Sequence, residues 1–279
     1  MNGIKTVLLL GLMSGLLLVG GQLIGGQNGL LIGLGLAVLM NFASYFFSDK
    51  IALAMYSAQP VTEQQNYDVY RRLAPLVQSL CQRMGLPMPR LWLIPEASPN
   101  AFATGRNPAH ASVAVTGGIL EIMDDYELEG VLAHELGHVK NRDILISSVA
   151  ATLGAAITML AQLGMYFGGG RDDDEDRGGG IGAILMLILA PIAAMLIQMA
   201  ISRTREYAAD ATAAKYAGSP DGLILALGKL EGWSKRVPLN ANAATAHMFI
   251  IKPFSGQALM QLFSTHPATA ERIARLRRI

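Results

Sequence analysis

The sequence predicts a mainly helical α+β protein, with four transmembrane helices and a water-exposed domain that contains a small antiparallel sheet. Composition is the first observation behind this fold class. Of the 279 residues, 52% are hydrophobic and only 15% are charged, whereas soluble domains carry about 25% charged residues. The second observation is a set of four apolar segments that approach the ~20 residues needed for a helical bilayer span. The third is a group of short strand-like segments between the second and third of them.

The four apolar segments cover residues 4–24, 29–47, 144–167 and 181–201. The first contains one charged residue, Lys5, and the others contain none, so each can cross a membrane without burying an ion at its centre. Two alternatives stay open. The first segment also fits a signal peptide, although no A-x-A-like cleavage site follows Val19, and the last two also fit a buried hairpin of a soluble domain.

The distribution of Lys and Arg near the ends of the spans predicts the orientation. Six lie on the side that holds the N-terminus: Lys5, Lys50, Lys140, Arg142, Arg203 and Arg205. The loop after the third span has only two, Arg171 and Arg177. By the positive-inside rule, the N-terminus and the water-exposed domain are expected in the cytoplasm.

The region between the second and third spans has mixed helix and strand signals. An amphipathic helix is predicted over residues 62–84, with Thr62 able to cap it and Gly85 to end it. Three segments then favour strands, because they are rich in β-branched or aromatic residues and separated by Pro, Asn and Gly: 90–95, 100–105 and 111–116. We expect a mainly antiparallel sheet with residues 100–105 at an exposed edge.

The next helix is predicted to begin at Asp124, whose side chain can cap free backbone amides while Glu127 reaches back as the capping-box partner. It continues through HELGH (134–138), where two histidines four residues apart project from the same helical face. His134 and His138 can therefore bind one metal ion, with Glu135 beside them as a proton acceptor. This is the H-E-x-x-H pattern of zinc hydrolases.

A third metal ligand is expected from another part of the chain, because catalytic zinc takes three protein ligands and keeps a fourth position for water. The segment SRTREYAAD (202–210), directly after the fourth span, supplies the candidates. Glu206 and Asp210 are four residues apart on a predicted helix, so one can bind metal while the other hydrogen-bonds a histidine ring. The alternative for Glu206 is an ion pair with Arg203 or Arg205 on a wet helix face.

This set of residues predicts peptide-bond hydrolysis. Zinc lowers the pKa of its bound water to about 7, and Glu135 would take the proton and later return it to the leaving amine. An extended substrate could pair with the exposed edge at residues 100–105 through backbone hydrogen bonds. The formal charge of +1 argues against a nucleic-acid partner, because Lys and Arg (22) barely exceed Asp and Glu (21).

The predicted spans and the metal motif together divide the chain into four parts. We expect an N-terminal transmembrane hairpin over 1–50, the first part of a catalytic domain over 51–143, a second transmembrane hairpin over 144–201, and the rest of the catalytic domain over 202–279. Antiparallel pairing within the second hairpin would bring Glu206 level with HELGH. Its loop GGGRDDDEDRGGG (168–180) is typical of a solvated connector, and we assign it no function.

A membrane scaffold and a transporter are the two alternatives to a protease. A membrane scaffold with a structural zinc site would need four protein ligands, often thiolates, and the chain has one cysteine, Cys81, interpreted as a packing residue. A fourth ligand close to the metal, such as His266, would favour the scaffold. A transporter would need ionisable residues within its spans, and Lys5 is the only one.

Motifs along nearly the whole chain resemble the HtpX family of membrane zinc metallopeptidases, which are related to Ste24-type proteases. They are PNAFATGRNP (99–108), VAVTGG (113–118), LAHELGHVKNRD (132–143), SRTREYAADATAAKYAG (202–218), AHMFI (246–250) and STHP (264–267). The resemblance implies a zincin-like cytosolic catalytic domain with one Zn²⁺ per chain, on a multi-pass protein of the bacterial inner membrane. Its expected substrates are misfolded or damaged membrane proteins, as in quality control. Prenyl-protein processing, as in Ste24-type relatives, is the nearest enzymatic alternative.

The resemblance also implies roles for the residues of the metal site. Carried over by position, His134, His138 and Glu206 resemble the zinc ligands of the family. Glu135 is similar to its general base and acid. Asp210 is similar in place to the carboxylate that orients a ligand histidine.

Three further residues are similar in position to groups near the substrate or the ligands. Asn100, before the predicted edge strand, and His266 resemble groups that approach the substrate or the developing oxyanion. His266 also fits a turn histidine before Pro267. Asp143 either orients the metal-binding helix and its ligands or forms an ion pair at the helix end with Arg142.

Overall fold

The structure, a computed structural model, describes residues 2–150, 152, 153, 203–234 and 267–279. Its helices are α1 (Asn2–Phe46), α2 (Ser48–Met55), α3 (Tyr67–Met84), α4 (Gly117–Ile122), α5 (Asp125–Lys140), α6 (Arg203–Ala217), α7 (Asp221–Ser234) and α8 (Thr269–Leu276). Its strands are β1 (Gln59–Pro60), β2 (Arg90–Ile94), β3 (Ala101–Gly105) and β4 (Ala111–Thr116). Residues 144–150 are also helical. The described part of the chain is mainly helical with a small sheet, which confirms the predicted fold class at that level.

α1 folds back on itself near its middle and forms a helical hairpin. The break is at Gly25 and Gly26, whose backbone angles are not helical; Gly26 has a φ of 58°, which favours glycine. The two halves of α1 then run side by side. Between the two halves, the Asn41 amide donates a hydrogen bond of 2.8 Å to the Ser14 hydroxyl.

One helix in the described residues has the length and composition of a membrane span. It is Gly25–Phe46, an apolar helix of 22 residues that contains most of the predicted span 29–47. The apolar helix Gly3–Val19, within the first predicted span, is shorter. The predicted spans 144–167 and 181–201 lie outside the described residues, apart from 144–150, 152 and 153. The prediction of four spans is therefore not confirmed, and one segment has the length and composition of a span.

The four strands form a mixed sheet in the order β1-β2-β4-β3. β1 pairs with β2 and β3 pairs with β4 in antiparallel fashion, but β2 and β4 run parallel. The predicted antiparallel sheet is therefore wrong for the central pair. The cause is that a short turn, Pro108–His110, joins β3 to β4, whereas the proline-containing residues 95–100 carry the chain from β2 to the far edge. β3 lies at that edge, as predicted, but the predicted exposure is wrong: all five residues of β3 are buried, because Glu135 and Ser148 pack against its outer side.

α3 confirms its predicted end but not its predicted start. The Thr62 hydroxyl accepts hydrogen bonds from the backbone N–H groups of Gln64 and Gln65, which closes a turn instead of capping a helix. The helix begins only at Tyr67. It ends at Gly85, whose φ of 64° is the left-handed conformation that terminates helices.

α5 is the helix around which the water-exposed domain packs. Its start has the predicted capping box: the Asp124 side chain accepts from the N–H of Glu127, and the Glu127 side chain accepts from the N–H of Asp124. Its apolar side chains are buried in the core of the domain: Leu128, Val131, Leu132, Leu136 and Val139. A Cβ atom on Gly137 would lie 3.1 Å from the carbonyl oxygen of Ala209, so α6 packs directly against the backbone of α5.

The chain turns sharply between α5 and the helical residues 144–150. Arg142 has a φ of 58°, so the following helix does not continue the axis of α5. It packs instead against the edge strand. The Ser148 hydroxyl accepts a hydrogen bond of 3.2 Å from the N–H of Gly105 and lies 2.6 Å from the Thr104 hydroxyl. The start of the third predicted span is thereby joined to β3.

Replacing Gly29 with Ala is expected to destabilise the hairpin, because the new Cβ atom would overlap the carbonyl oxygen of Gly21 and push the two halves of α1 apart. We expect the free energy of unfolding to fall by about 1–3 kcal/mol, as at other overpacked contacts. Gly35→Ala is the matched control, since nothing lies within 4 Å of a Cβ atom there. Thermal unfolding of the full chain in detergent compares the variants, and equal midpoints would contradict the close packing.

Candidate metal centre

Three side chains converge between α5 and α6. His134 and His138 project from one face of α5, and Glu206 faces them from the first turn of α6. The Nε2 atoms of the histidines are 3.2 Å apart. The carboxylate oxygens of Glu206 lie 3.8 Å from Nε2 of His134 and 3.5 Å from Nε2 of His138. The structure thus brings together the three residues that the sequence analysis named as ligands.

The spacing and chemistry of these atoms fit a tetrahedral metal site. Ligand atoms bound at ~2.0–2.1 Å in tetrahedral geometry are about 3.3 Å apart, close to the observed 3.2–3.8 Å. Two imidazoles and one carboxylate form the donor set of catalytic zinc sites that keep one position open. Within the described ranges, the group has three members and no fourth His, Cys, Asp or Glu.

The Nδ1 atom of each histidine ring lies near a carboxylate. Nδ1 of His134 lies 2.9 Å from Asp210, and Nδ1 of His138 lies 3.4 Å from Asp143. A ring that donates from Nδ1 leaves Nε2 unprotonated and available to a metal. The structure therefore places Asp210 and Asp143 where they can fix the orientation and tautomer of the rings.

Arg272 in α8 is a member of this centre that the sequence analysis missed. It is 1% exposed and donates hydrogen bonds of 2.6 and 2.9 Å to the two carboxylate oxygens of Asp210. Burial alone would raise the pKa of Asp210, but the charge of Arg272 and hydrogen bonds from His134 and Arg272 lower it to about 2. Asp210 is thus a fixed anion between His134 and Arg272. The sequence does contain one indication of this position: Arg272 and Leu276 are four residues apart, which places both on the same face of α8.

His138 holds a proton strongly when no metal is bound. Burial alone would lower its pKa, but the hydrogen bond with Asp143 and the charge of Glu206 raise the pKa to about 9. A metal cation therefore has to displace a proton from this ring at neutral pH, which links metal affinity to pH.

Glu135 lies between the histidines and the edge of the sheet. Its Oε2 atom accepts a hydrogen bond of 2.9 Å from the backbone N–H of Ala103 in β3. Burial raises the pKa of Glu135, and charge on His134 and His138 opposes this shift. A buried carboxyl group with a raised pKa is suited to take up a proton and release it again. The contact with Ala103 was not evident from the sequence.

The remaining candidates lie on two other segments. Asn100, 3% exposed, directly precedes β3, and its carbonyl oxygen accepts a hydrogen bond of 2.9 Å from the N–H of Thr116. It is thereby anchored at the end of the edge strand that approaches Glu135. His266 lies outside the described residues, directly before Pro267.

Arg272→Met is expected to weaken metal binding about 10–100-fold, because Asp210 would lose its partner and no longer orient His134. Arg278→Met is the control, since Arg278 is exposed just beyond the same helix. Competition with a chelator measures the zinc Kd of both variants of the full chain in detergent. Equal affinities would show that Arg272 does not position the ligands.

Sequence similarity relates the chain to a family of known proteins. Residues 67–279 match peptidase family M48. The chain is 54% identical over 280 residues to a Protease HtpX homolog of Desulforapulum autotrophicum, covering 99% of this chain and 89% of the relative. It is 56% identical over 279 residues to a protein of the same name from Desulfatibacillum aliphaticivorans, again over 99% of this chain and 89% of the relative.

A solved structure with a similar fold is the crystal structure of Ste24p from S. mikatae, with a TM-score of 0.52 and 21% sequence identity. The match covers 99% of this chain but only 65% of the Ste24p chain. At this identity the likeness concerns the fold alone. The family match covers most of the chain and both relatives are more than half identical to it, so this chain is a metallopeptidase that belongs to peptidase family M48.

Proposed function

We propose that this chain is a zinc-dependent membrane endopeptidase that cleaves misfolded or damaged membrane proteins at the cytoplasmic face of a bacterial inner membrane. The observation that carries the proposal is the position of Glu135. It lies beside the three candidate ligands and is hydrogen-bonded to the N–H of Ala103 on the edge strand. A proton acceptor, a set of metal ligands and a strand edge thus meet in one place; the first two suit metal-assisted hydrolysis, and the third suits an extended peptide substrate.

The donor set favours one zinc ion per chain, held by His134, His138 and Glu206. When bound, zinc would lower the pKa of a water molecule to about 7 and polarise a carbonyl group. A structural zinc site, the alternative for a membrane scaffold, takes four protein ligands. In the part of the chain that the structure describes, the group offers three; His266, the fourth ligand that the scaffold would use, lies outside that part.

Glu135 would act first as general base and then as general acid. The N–H of Ala103 holds its Oε2 atom, and Oε1 is left to accept a proton from the attacking water. As the water oxygen bonds to the carbonyl carbon, the C–N bond breaks and Glu135 passes the proton to the leaving nitrogen. Asn100 and His266 are proposed to donate hydrogen bonds to the substrate or its developing oxyanion.

The substrate would bind as an extended strand along β3. In the ladder with β4, alternate residues of β3 direct their backbone groups outward, and Ala103 is one of these because its N–H meets Glu135. The next outward N–H, that of Gly105, is held by Ser148. Because Glu135 holds the N–H of Ala103, substrate pairing is proposed at the backbone groups of Ala101 and the carbonyl group of Ala103, which would place a substrate peptide bond next to Glu135.

This mode of binding suits unfolded substrates. Backbone hydrogen bonds along a strand edge recognise the main chain and tolerate many side chains. A folded protein keeps its strands paired, whereas a misfolded segment can offer one to the edge. The helix Gly25–Phe46, long and apolar enough to cross a bilayer, would hold the centre near damaged membrane proteins. The resemblance to the HtpX family supports quality control as the physiological role.

The catalytic side would face the cytoplasm. Six Lys and Arg residues flank the spans on that side, against two in the loop after the third span. The helical hairpin of α1 supports this arrangement, because its ends return to the same side of a membrane. The N-terminus and the catalytic domain would then lie together in the cytoplasm, on a multi-pass protein.

Glu135→Gln is expected to lower kcat/KM for cleavage of an unfolded protein by about 10²–10⁴-fold, because the amide cannot accept the proton. Bound zinc should persist, since Glu135 is not among the ligands. Glu121→Gln makes the same chemical change at an exposed carboxylate and should keep full activity. The measurement is cleavage of an added unfolded protein by inverted inner-membrane vesicles, together with zinc content per purified chain.

The same assay tests the orientation. Sealed right-side-out vesicles should leave the added protein intact until detergent opens them. Cleavage before detergent would contradict a cytoplasmic centre, and full activity of zinc-loaded Glu135→Gln would contradict the role assigned to Glu135.

A further inference from the structure

A cavity of about 310 Å³ lies where the membrane hairpin meets the water-exposed domain. The end of α1 and the start of α2 form one wall, and the start of β2 and the turn after β3 form the other. Its lining is mostly aromatic or cationic: Phe42, Phe46, Phe47, Lys50, Arg90 and Arg106. None of its lining residues belongs to the candidate metal centre.

Two cations are held over aromatic rings in this cavity. Nζ of Lys50 lies 5.4 Å from the centre of the Phe47 ring, and the guanidinium carbon of Arg106 lies 5.5 Å from that of Phe46. Among the residues that the structure describes, neither Lys50 nor Arg106 has a carboxylate partner. Both charges are therefore available to an anion.

The cavity as a whole is positively charged. Arg90 is neutralised by Asp49, at 2.6 Å. Three cationic side chains against this one carboxylate leave a net charge of +2, with His110 counted as neutral. Lys50 and Arg90 are exposed and Arg106 is half-buried, so an anion can approach these charges from solvent and accept charge-assisted hydrogen bonds from them.

An exposed apolar stripe leads away from the cavity along α1. Val38, Phe42 and Phe46 are spaced four residues apart on one helical face and are 64%, 53% and 42% exposed. They belong to the helix Gly25–Phe46, which is long enough to cross a bilayer. In a membrane this stripe would face acyl chains, and the cavity would lie at the level of the head groups, where aromatic side chains concentrate.

We propose that this cavity binds the head group of an anionic phospholipid, with its phosphate between Lys50 and Arg106 and an acyl chain along the stripe. Basic pockets at the cytoplasmic ends of transmembrane helices are suited to such head groups. A free phosphate would use the two cations but not the apolar stripe. The site rests on the proposed placement of the helix Gly25–Phe46 in a membrane, but not on the proposed peptide hydrolysis.

The test counts lipids that remain on the purified full chain. Native mass spectrometry is applied to protein in micelles supplied with equal amounts of phosphatidylglycerol and phosphatidylcholine. We expect retention of one phosphatidylglycerol per chain in preference to phosphatidylcholine. A parallel sample with millimolar sodium phosphate distinguishes a lipid site from a free-phosphate site, and the lipid should stay bound.

Variants locate the bound lipid. Lys50→Gln combined with Arg106→Gln should weaken phosphatidylglycerol binding about fivefold for each cation removed. The control combines Lys5→Gln with Lys215→Gln, which removes the same charge outside the cavity. Lys5 lies near the open end of the α1 hairpin. This control should leave phosphatidylglycerol binding unchanged. The charge-preserving pair Lys50→Arg and Arg106→Lys should also retain the lipid, which separates loss of charge from loss of fold.

Three results would overturn the proposal. The first is equal lipid retention by wild type and the Lys50→Gln, Arg106→Gln variant. The second is an equal loss in the Lys5→Gln, Lys215→Gln control, which would indicate diffuse attraction to the membrane. The third is displacement of the lipid by sodium phosphate, which would indicate a site for the free anion.

Discussion

The close approach of α5 and α6 at Gly137 is the contact on which the metal centre depends. A Cβ atom at this position would lie 3.1 Å from the carbonyl oxygen of Ala209 and 3.3 Å from its Cα atom, so the helices meet backbone to backbone. At this separation Glu206 faces the Nε2 atoms of the histidines, and Asp210 reaches Nδ1 of His134. A larger side chain in place of Gly137 would push α6 away from α5. Glu206 and Asp210 would then both move away from the two histidines.

Charge balance then explains why the assembled centre suits a divalent cation. Four buried carboxylates surround it: Glu135, Asp143, Glu206 and Asp210. The guanidinium groups of Arg205 and Arg272 lie among them, so two positive and four negative groups leave a formal charge of −2 when both histidines are neutral. Such a charge is costly in a buried site unless a cation compensates for it. Burial, and then the charge of Glu206, raises the pKa of Glu135, whereas the hydrogen bond with Asp143 and the charge of Glu206 raise the pKa of His138.

The sequence predicted the features whose cause lies within a few neighbouring residues. The capping box of Asp124 and Glu127, the strand β4 and the HELGH helix are of this kind. Arg272 and the hydrogen bond between Ala103 and Glu135 were not predicted, because they join segments that only the packing of α5, α6, α8 and β3 brings together. The parallel pairing of β2 and β4 was missed for the same reason, since strand order depends on where the connecting segments cross.

Zinc-edge X-ray absorption on the purified full chain tests most directly the claim that α5 and α6 assemble an open metal site. The account predicts two histidine nitrogens and otherwise only oxygen ligands, at ~2.0–2.2 Å. It also predicts that Glu206→Gln loses stoichiometric zinc, whereas Glu271→Gln, at an exposed carboxylate on α8, keeps it. A sulfur ligand, a third histidine or full zinc occupancy in Glu206→Gln would contradict the account.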